Sequence, residues 1–303
     1  MKKMWLTVFI LCLFGLVFSA VTLEEPYYKK YKYWTSNGYA DAAGVFIAPP
    51  LNASVLDKGQ SIEFEVCVPY SGLYNIQLVY TVLSDELAEN EAQVKINGEY
   101  QYYESRRVIL PQYWKSQSTG FAVDRYGNQL VPLQTKYKGR IVYTLRDSAF
   151  YKPEPLRFFL QEGINNINLA IESGKILLEG LALKSYTPLL PYESYISKYG
   201  YLKNENNLFL SIEAESIDYK NDTSVNPFTS RDIQVVPYDT NRLMLNTMGE
   251  KSWSKSGQEV FYTFSVPSDG FYSFGFKYLQ AGKANSSVYR RMRIDGEILC
   301  TIC

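Results

Sequence analysis

Histidine is absent from all 303 residues. That removes Ser-His-Asp and Cys-His catalysis and the common imidazole-bearing zinc sites. Cysteine is scarce: Cys12, Cys67, Cys300 and Cys303. Cys67 alternates with Val66 and Val68 in a strand pattern and reads as a plain core residue. Cys300-x-x-Cys303 lacks both a second ligand pair for zinc and the strand–helix–strand setting of a redox pair. No cluster of basic residues stands out, which argues against nucleic acid and anionic lipid as partners. Sustained helical periodicity is also missing.

One long apolar run is present, Met4 to Phe18, fifteen residues. It is shorter than the ~20 residues that span a bilayer. Lys2-Lys3 precede it and Ser19-Ala20 follow, so residues 1–19 read as a secretory signal, with an uncleaved anchor as the alternative. Cleavage removes two lysines and no acid, taking the net charge from zero to about −2. The expected location is secreted or cell-envelope.

Tyrosine is in excess, 27 residues beside 16 Phe and 4 Trp. It favours strands and supplies amphipathic contact surface. The strand signals are explicit. Ser61 to Val68 alternates in period two, Pro69-Tyr-Ser-Gly72 turns, and Leu73 to Tyr80 follows. Glu91 to Ile96 leads into Asn97-Gly98, the strongest short hairpin signal. Pro155–Leu160, Ile164–Ile171 and Ile176–Leu183 complete a set of short strands that predicts an all-β antiparallel sandwich, a jelly roll.

Part of this pattern occurs twice. Gly59-Gln60, Val68-Pro69, Gly72, Tyr74 and Ile96-Asn97-Gly98-Glu99 recur as Gly257-Gln258, Val266-Pro267, Gly270, Tyr272 and Ile294-Asp295-Gly296-Glu297, always 198 residues on. A fixed offset predicts duplicated structure. The expected organisation is a β-sandwich over 20–187, a linker over 188–207 with a short helix near Tyr192–Tyr199, and a truncated second copy over 208–303. In that copy Glu259–Val266 and Phe271–Leu279 read as strands, and the closing half is missing. Leaving four or five of its large apolar side chains uncovered forfeits about 6–15 kcal/mol, so the copy is expected to fold incompletely alone. Limited proteolysis should then cut within 208–303 before 55–185.

The first copy carries a long excursion over 100–154, a length that a compact domain rarely carries without a use, with a plain scaffold loop as the alternative. Tyr113, Trp114, Asp124, Asn128, Gln134 and Tyr137 within it combine ring faces with amides and a carboxylate, the chemistry that stacks on and hydrogen-bonds to sugar rings. For Trp114 and Tyr137 the alternative is core packing under a long loop.

These landmarks resemble the galactose-binding-like sandwiches of carbohydrate-binding module families 6 and 35, through Glu213-Ala-Glu215, the two Val-Pro-x-x-Gly-x-Tyr turns, and Gly163-Ile-Asn165-Asn-Ile167-Asn-Leu169 with Glu179. A closer resemblance is to the tandem modules at the front of bacterial extracellular solute-binding proteins of sugar ABC transporters. It rests on Trp114, Asp124-Arg-Tyr-Gly127-Asn128, Pro132-Leu-Gln134, Tyr137 and Glu154-Pro155. The two-lobed solute-binding domain of those proteins is not in this chain. The resemblance implies a non-catalytic module for oligo- or polysaccharide, with a transporter or cell-envelope protein as a further partner. It also implies a structural calcium in the first copy, held by Glu24 or Glu25 with Glu179; the second copy's Glu213 and Glu215 lack a third ligand. A structural or protein-docking module is the alternative function. Glycoside hydrolysis by Asp147 and Glu154 is the enzymatic one, and nothing in the sequence pairs those two acids.

Overall fold

The computed structural model describes residues 39–40, 45–47, 53–152, 154–186, 188–201, 209–280, 287–296 and 298–300. The expected signal, Glu24, Glu25, Cys12 and Cys303 lie outside them. The chain divides into two compact units, one of residues 18–186 with 212–263, the other of 187–211 with 264–303 and the first seventeen residues.

In the larger unit, strands β1 (Tyr39–Ala40), β2 (Val45–Ile47), β3 (Ser54–Asp57), β4 (Ser61–Val68), β5 (Gly72–Val82), β6 (Asn90–Ile96) and β7 (Val108–Leu110) come first. The excursion adds β8 (Trp114–Ser116), β9 (Gln134–Lys136) and β10 (Ile141–Thr144). β11 (Phe158–Leu160), β12 (Gly163–Ser173) and β13 (Lys175–Ser185) close the sandwich. The later segment supplies β14 (Tyr219–Lys220), β15 (Pro227–Phe228), β16 (Thr247–Met248) and β17 (Val260–Phe261).

The architecture is an antiparallel β-sandwich. One sheet runs β1-β2-β13-β5-β10, with β3 sharing an edge of β13 and β11 an edge of β5; the facing sheet runs β4-β12-β6-β7. Alternation decides which side chains meet between them. On β12, Ile167, Leu169 and Ile171 point inward while Asn166 and Asn168 point out. On β5, Tyr74, Ile76, Leu78, Tyr80 and Val82 are enclosed. At about 1.5–3 kcal/mol per fully buried large side chain, this shared interior is the main stabilising contribution. The buried Tyr80 phenol is satisfied, since its hydroxyl donates to Pro111 O at 2.9 Å.

β13 changes phase midway. Ile176 and Leu178 face the core, and so do Leu181 and Leu183, which a strict period of two forbids. The pairing with β5 slips between Leu178 and Gly180, a bulge that absorbs one residue and restores the inward set. β12 and β13 do not pair with each other. They form an arch through Gly174 (φ 84°), one strand entering each sheet. A Cβ on Gly174 would stand 2.1 Å from Asn90 Oδ1, so glycine is required there twice over.

The smaller unit holds helix α1 (Tyr192–Lys198), in agreement with the expected short helix, and no strand among its described residues. The predicted strands Glu259–Val266 and Phe271–Leu279 are reduced to β17 alone, which belongs to the larger unit. Alternating sequence makes a strand only when another strand hydrogen-bonds to it. Among the described residues no helix is long and apolar enough to cross a membrane.

Candidate functional site

The excursion folds as a small antiparallel layer continued by the later segment, in the order β17-β14-β8-β9. Trp114 opens β8, opposite Lys136 on one side and Lys220 on the other. The Lys136 ammonium lies 5.6 Å from the Trp114 ring centre. Tyr113 packs on the sandwich core and meets the Phe261 ring at 4.9 Å; Tyr137 meets Tyr219 at 5.0 Å. Gln134 Nε2 donates to Asn226 Oδ1. Four of the six residues expected to bind ligand, Tyr113, Trp114, Gln134 and Tyr137, therefore face the protein's own residues 219–261.

Asp124 and Asn128 build the loop between β8 and β9. Asp124 Oδ1 accepts from the backbone N–H of Tyr126 (2.8 Å) and Asn128 (2.9 Å), and Oδ2 from Asn128 Nδ2 (2.9 Å). The Asn128 amide, then the backbone donors, hold this carboxyl below its ordinary range. Gly127 (φ 81°) closes the turn. Asn128 Oδ1 then accepts from Leu243 N at 2.9 Å. Gln129 adds two bonds, its N–H to Leu243 O (2.8 Å) and its Oε1 from Leu245 N (2.7 Å). Gln129 escaped the sequence reading, because its partners lie more than a hundred residues away.

Between Trp114, Gln134, Glu215, Lys220 and Asn226 is a cavity of about 10 Å³, the space of roughly one water. Lys220 is buried there, donating to Asn226 Oδ1 (2.8 Å), Thr223 O (3.4 Å) and Val225 O. Burial lowers its pKa to about 8. Glu215 is buried as well, its pKa raised by desolvation and secondarily by Glu213; its Oε2 and Gln134 Oε1 have no hydrogen-bond partner among the described residues.

Of the acids that the resemblance assigns to calcium, Glu179, Glu213 and Glu215 are described. Glu179, the one described member of the expected first-copy set, pairs with Arg140 Nε at 2.9 Å and accepts from Thr81 Oγ1 at 3.3 Å. Glu215 shares its cavity with an ammonium, which opposes a second cation. Among the described residues, no three His, Cys, Asp or Glu side chains gather closely enough to hold a metal. Asp147 and Glu154 differ in their surroundings. The Asp147 carboxylate accepts from the backbone N–H of Ala149 (2.9 Å), Tyr151 (3.0 Å) and Lys152 (3.4 Å), while Glu154 is exposed.

A second site lies on the solvent face of the β4-β12-β6 sheet. An open groove of about 500 Å³ is lined by Glu63, Lys95, Asn97, Gly98, Asn166 and Asn168. Asn168 sits in register between Glu63 on β4 and Lys95 on β6, so a carboxylate, an amide and an ammonium form one row. Asn166 and Asn168 each donate to Glu63, at 3.4 and 3.3 Å. Asn97, held at φ 52° by the hairpin turn, accepts from Asn166 N at 2.7 Å and thereby fixes one end of the groove. Lys95 and Arg106 each lie 5.0 Å from the Tyr100 ring centre. Sequence alternation alone marks these side chains as outward. The row across three strands requires the register.

No family model matches the chain, and no curated protein matches it. Among solved structures, a family 35 carbohydrate-binding module from Clostridium thermocellum is similar at 13% identity and a TM-score of 0.28, over 47% of this chain and 89% of that one. A family 35 module of Abf62 from Cellvibrio japonicus is 15% identical, TM-score 0.27, over 47% and 74%. A cycloisomaltooligosaccharide glucanotransferase from Paenibacillus is 14% identical, TM-score 0.29, over 55% and 21%. At these scores the likeness carries no argument about this chain.

Proposed function

We propose that this protein is a non-catalytic carbohydrate-binding module, exported and derived from a sugar-uptake system. The supporting observation is the open groove on the β4-β12-β6 face, where Asn166, Asn168, Asn97, Glu63 and Lys95 converge. Planar amides and carboxylates match the vicinal hydroxyls of a sugar, and a groove open along its length admits a chain rather than a single ring. The transporter connection is supported by the excursion motif alone. Tyr113, Trp114, Asn128, Gln134 and Tyr137 reach a sugar only if residues 219–261 move away, with Asp124 shaping the loop that carries Asn128. The groove is therefore the primary site of this reading. A calcium held by Glu24 or Glu25 with Glu179 would have to displace Arg140, and a calcium titration followed by melting temperature checks for it.

Titrating the full chain with neutral and charged oligosaccharides by calorimetry tests the proposal. Asn168→Ala and Lys95→Ala should each weaken binding about tenfold, which corresponds to ~1.4 kcal/mol, and leave the melting temperature nearly unchanged. A folded protein that binds nothing across a broad glycan panel would falsify it.

A docking module is the second reading. Exposed Phe276, Tyr278 and Leu279, close together in the sequence, favour it, since large solvent-facing apolar side chains mark protein contacts when they form a patch.

A further inference from the structure

The geometry points to a ligand of both charges for the groove on the β4-β12-β6 face: a glycan whose repeating unit bears an ammonium and a carboxylate. This names the ligand class of the site proposed above and rests on that glycan reading.

Register sets the charge pattern. Glu63 on β4, Asn168 on β12 and Lys95 on β6 stand opposite one another, and Glu65 stands opposite Asn166 one step along. All of these side chains point outward, because Phe64, Val66, Ile167, Leu169 and Val94 between them point into the core. β4 therefore carries an acidic rail, Glu63 and Glu65, beside a central rail of two amides on β12. Lys95 opens a basic rail on the far side. Arg106 extends it, since its guanidinium lies 5.0 Å from the Tyr100 ring centre, as does the Lys95 ammonium. The Tyr100 ring is held beside β6 by its hydroxyl, which donates to Gln93 Oε1.

Elsewhere on the sandwich, opposite charges meet. Arg107 bonds Glu91 at 2.5 Å, Lys138 bonds Asp85 at 2.6 Å, and Arg140 bonds Glu179 at 2.9 Å. Across the groove they do not. Glu63 and Lys95 are two strand spacings apart, about 10 Å at the backbone, with Asn168 between them. Glu63 accepts from the two amides at 3.4 and 3.3 Å, and among the described residues neither Lys95 nor Arg106 pairs with a carboxylate. The sheet thus holds two unlike charges apart across an open groove of about 500 Å³. A sugar ring with its substituents spans that interval.

A ligand ammonium would meet Glu63 and Glu65, and a ligand carboxylate would meet Lys95 and Arg106. Hydrogen bonds assisted by charge are roughly twice as strong as neutral ones. A polyanion gains at the basic rail and is repelled at the acidic one; a polycation meets the reverse. The two rails together therefore discriminate against both. A neutral chain forms hydrogen bonds without either charge-assisted contact.

Calorimetry of the full chain at a pH of about 6, where both ligand charges are present, tests this with four tetrasaccharides. They are de-N-acetylated heparosan (both charges), heparosan (carboxylate only), chitosan (ammonium only) and chitotetraose (neither). The first should bind roughly tenfold tighter than each of the others. Glu63→Gln should largely abolish the preference over heparosan and keep that over chitosan. Lys95→Gln should do the reverse, with both melting temperatures nearly unchanged. Equal binding of chitotetraose, or a preference for one sign of charge alone, overturns the inference and leaves the glycan reading standing. So does failure to bind any of the four by a protein that binds other neutral chains. Absence of all glycan binding by the folded protein overturns both.

Discussion

Residues 61–82 and 259–280 spell the same strand–turn–strand pattern, yet only the first becomes two paired strands, of eight and eleven residues. The second keeps the turn-level hydrogen bonds and a single two-residue strand. Turns are settled by a few neighbouring residues, whereas strands depend on partners distant in sequence. β5 is paired along both edges, by β13 on one side and by β10 and β11 on the other. Alternation therefore sets which face can be buried, and pairing sets whether it is.

Inserting one alanine between Gly180 and Leu181 would strike hardest at this comparison. The bulge already absorbs one residue, so a second turns Leu181 and Leu183 outward, and the first half should lose its cooperative urea transition altogether. Next in size, Phe158→Ala should cost about 3–5 kcal/mol in urea unfolding, because Phe158 is fully enclosed. Phe276→Ala, at an exposed position, should stay within about 0.5 kcal/mol. Similar costs for the two would break the contrast. Asp147→Ala removes the acceptor of three backbone donors and should destabilise by about 1–3 kcal/mol.

Lys220 sharpens the comparison through pH. Its folded pKa, about 8, lies below its ordinary value near 10.5, so the unfolded chain holds the extra proton between those limits. Stability of the 212–263 layer should rise as pH increases through that window and level off above it. Lys220→Met should flatten the profile, as read by hydrogen exchange of β14. The smallest effect belongs to Arg107→Ala. Arg107 bonds Glu91 at 2.5 Å from a half-exposed position, and its loss should cost no more than about 1 kcal/mol.

Much of the first half was legible because its strands alternate strictly and its turns carry their own chemistry. Asn97-Gly98 folds as its residues dictate, and β12 buries Ile167, Leu169 and Ile171 as the pattern predicts. The bulge in β13 was not legible: Leu-Leu-Glu-Gly-Leu reads equally well as a strand end. The use of the excursion was legible only as composition. Rings and amides at Tyr113, Gln134 and Tyr137 suit a sugar, and they equally suit Phe261, Asn226 and Tyr219. Which of these they meet is decided by the pairing of Trp114 with Lys220, a contact between residues far apart in the chain. The groove was hidden for the same reason, since Glu63, Lys95 and Asn168 become neighbours only through two registers.

The tight turn at Asn97-Gly98 has a chemical lifetime as well as a shape. An asparagine followed by glycine is open to attack on its side-chain carbonyl by the next backbone nitrogen, releasing ammonia and leaving a succinimide, which water then opens to aspartate or isoaspartate. Here the Asn97 side chain is tethered to Asn165 and Asn166, which holds that carbonyl in place while the fold persists. Ageing at this position should therefore report unfolding: mass gain of one dalton at Asn97 should accumulate in denaturant and lag in the intact sandwich.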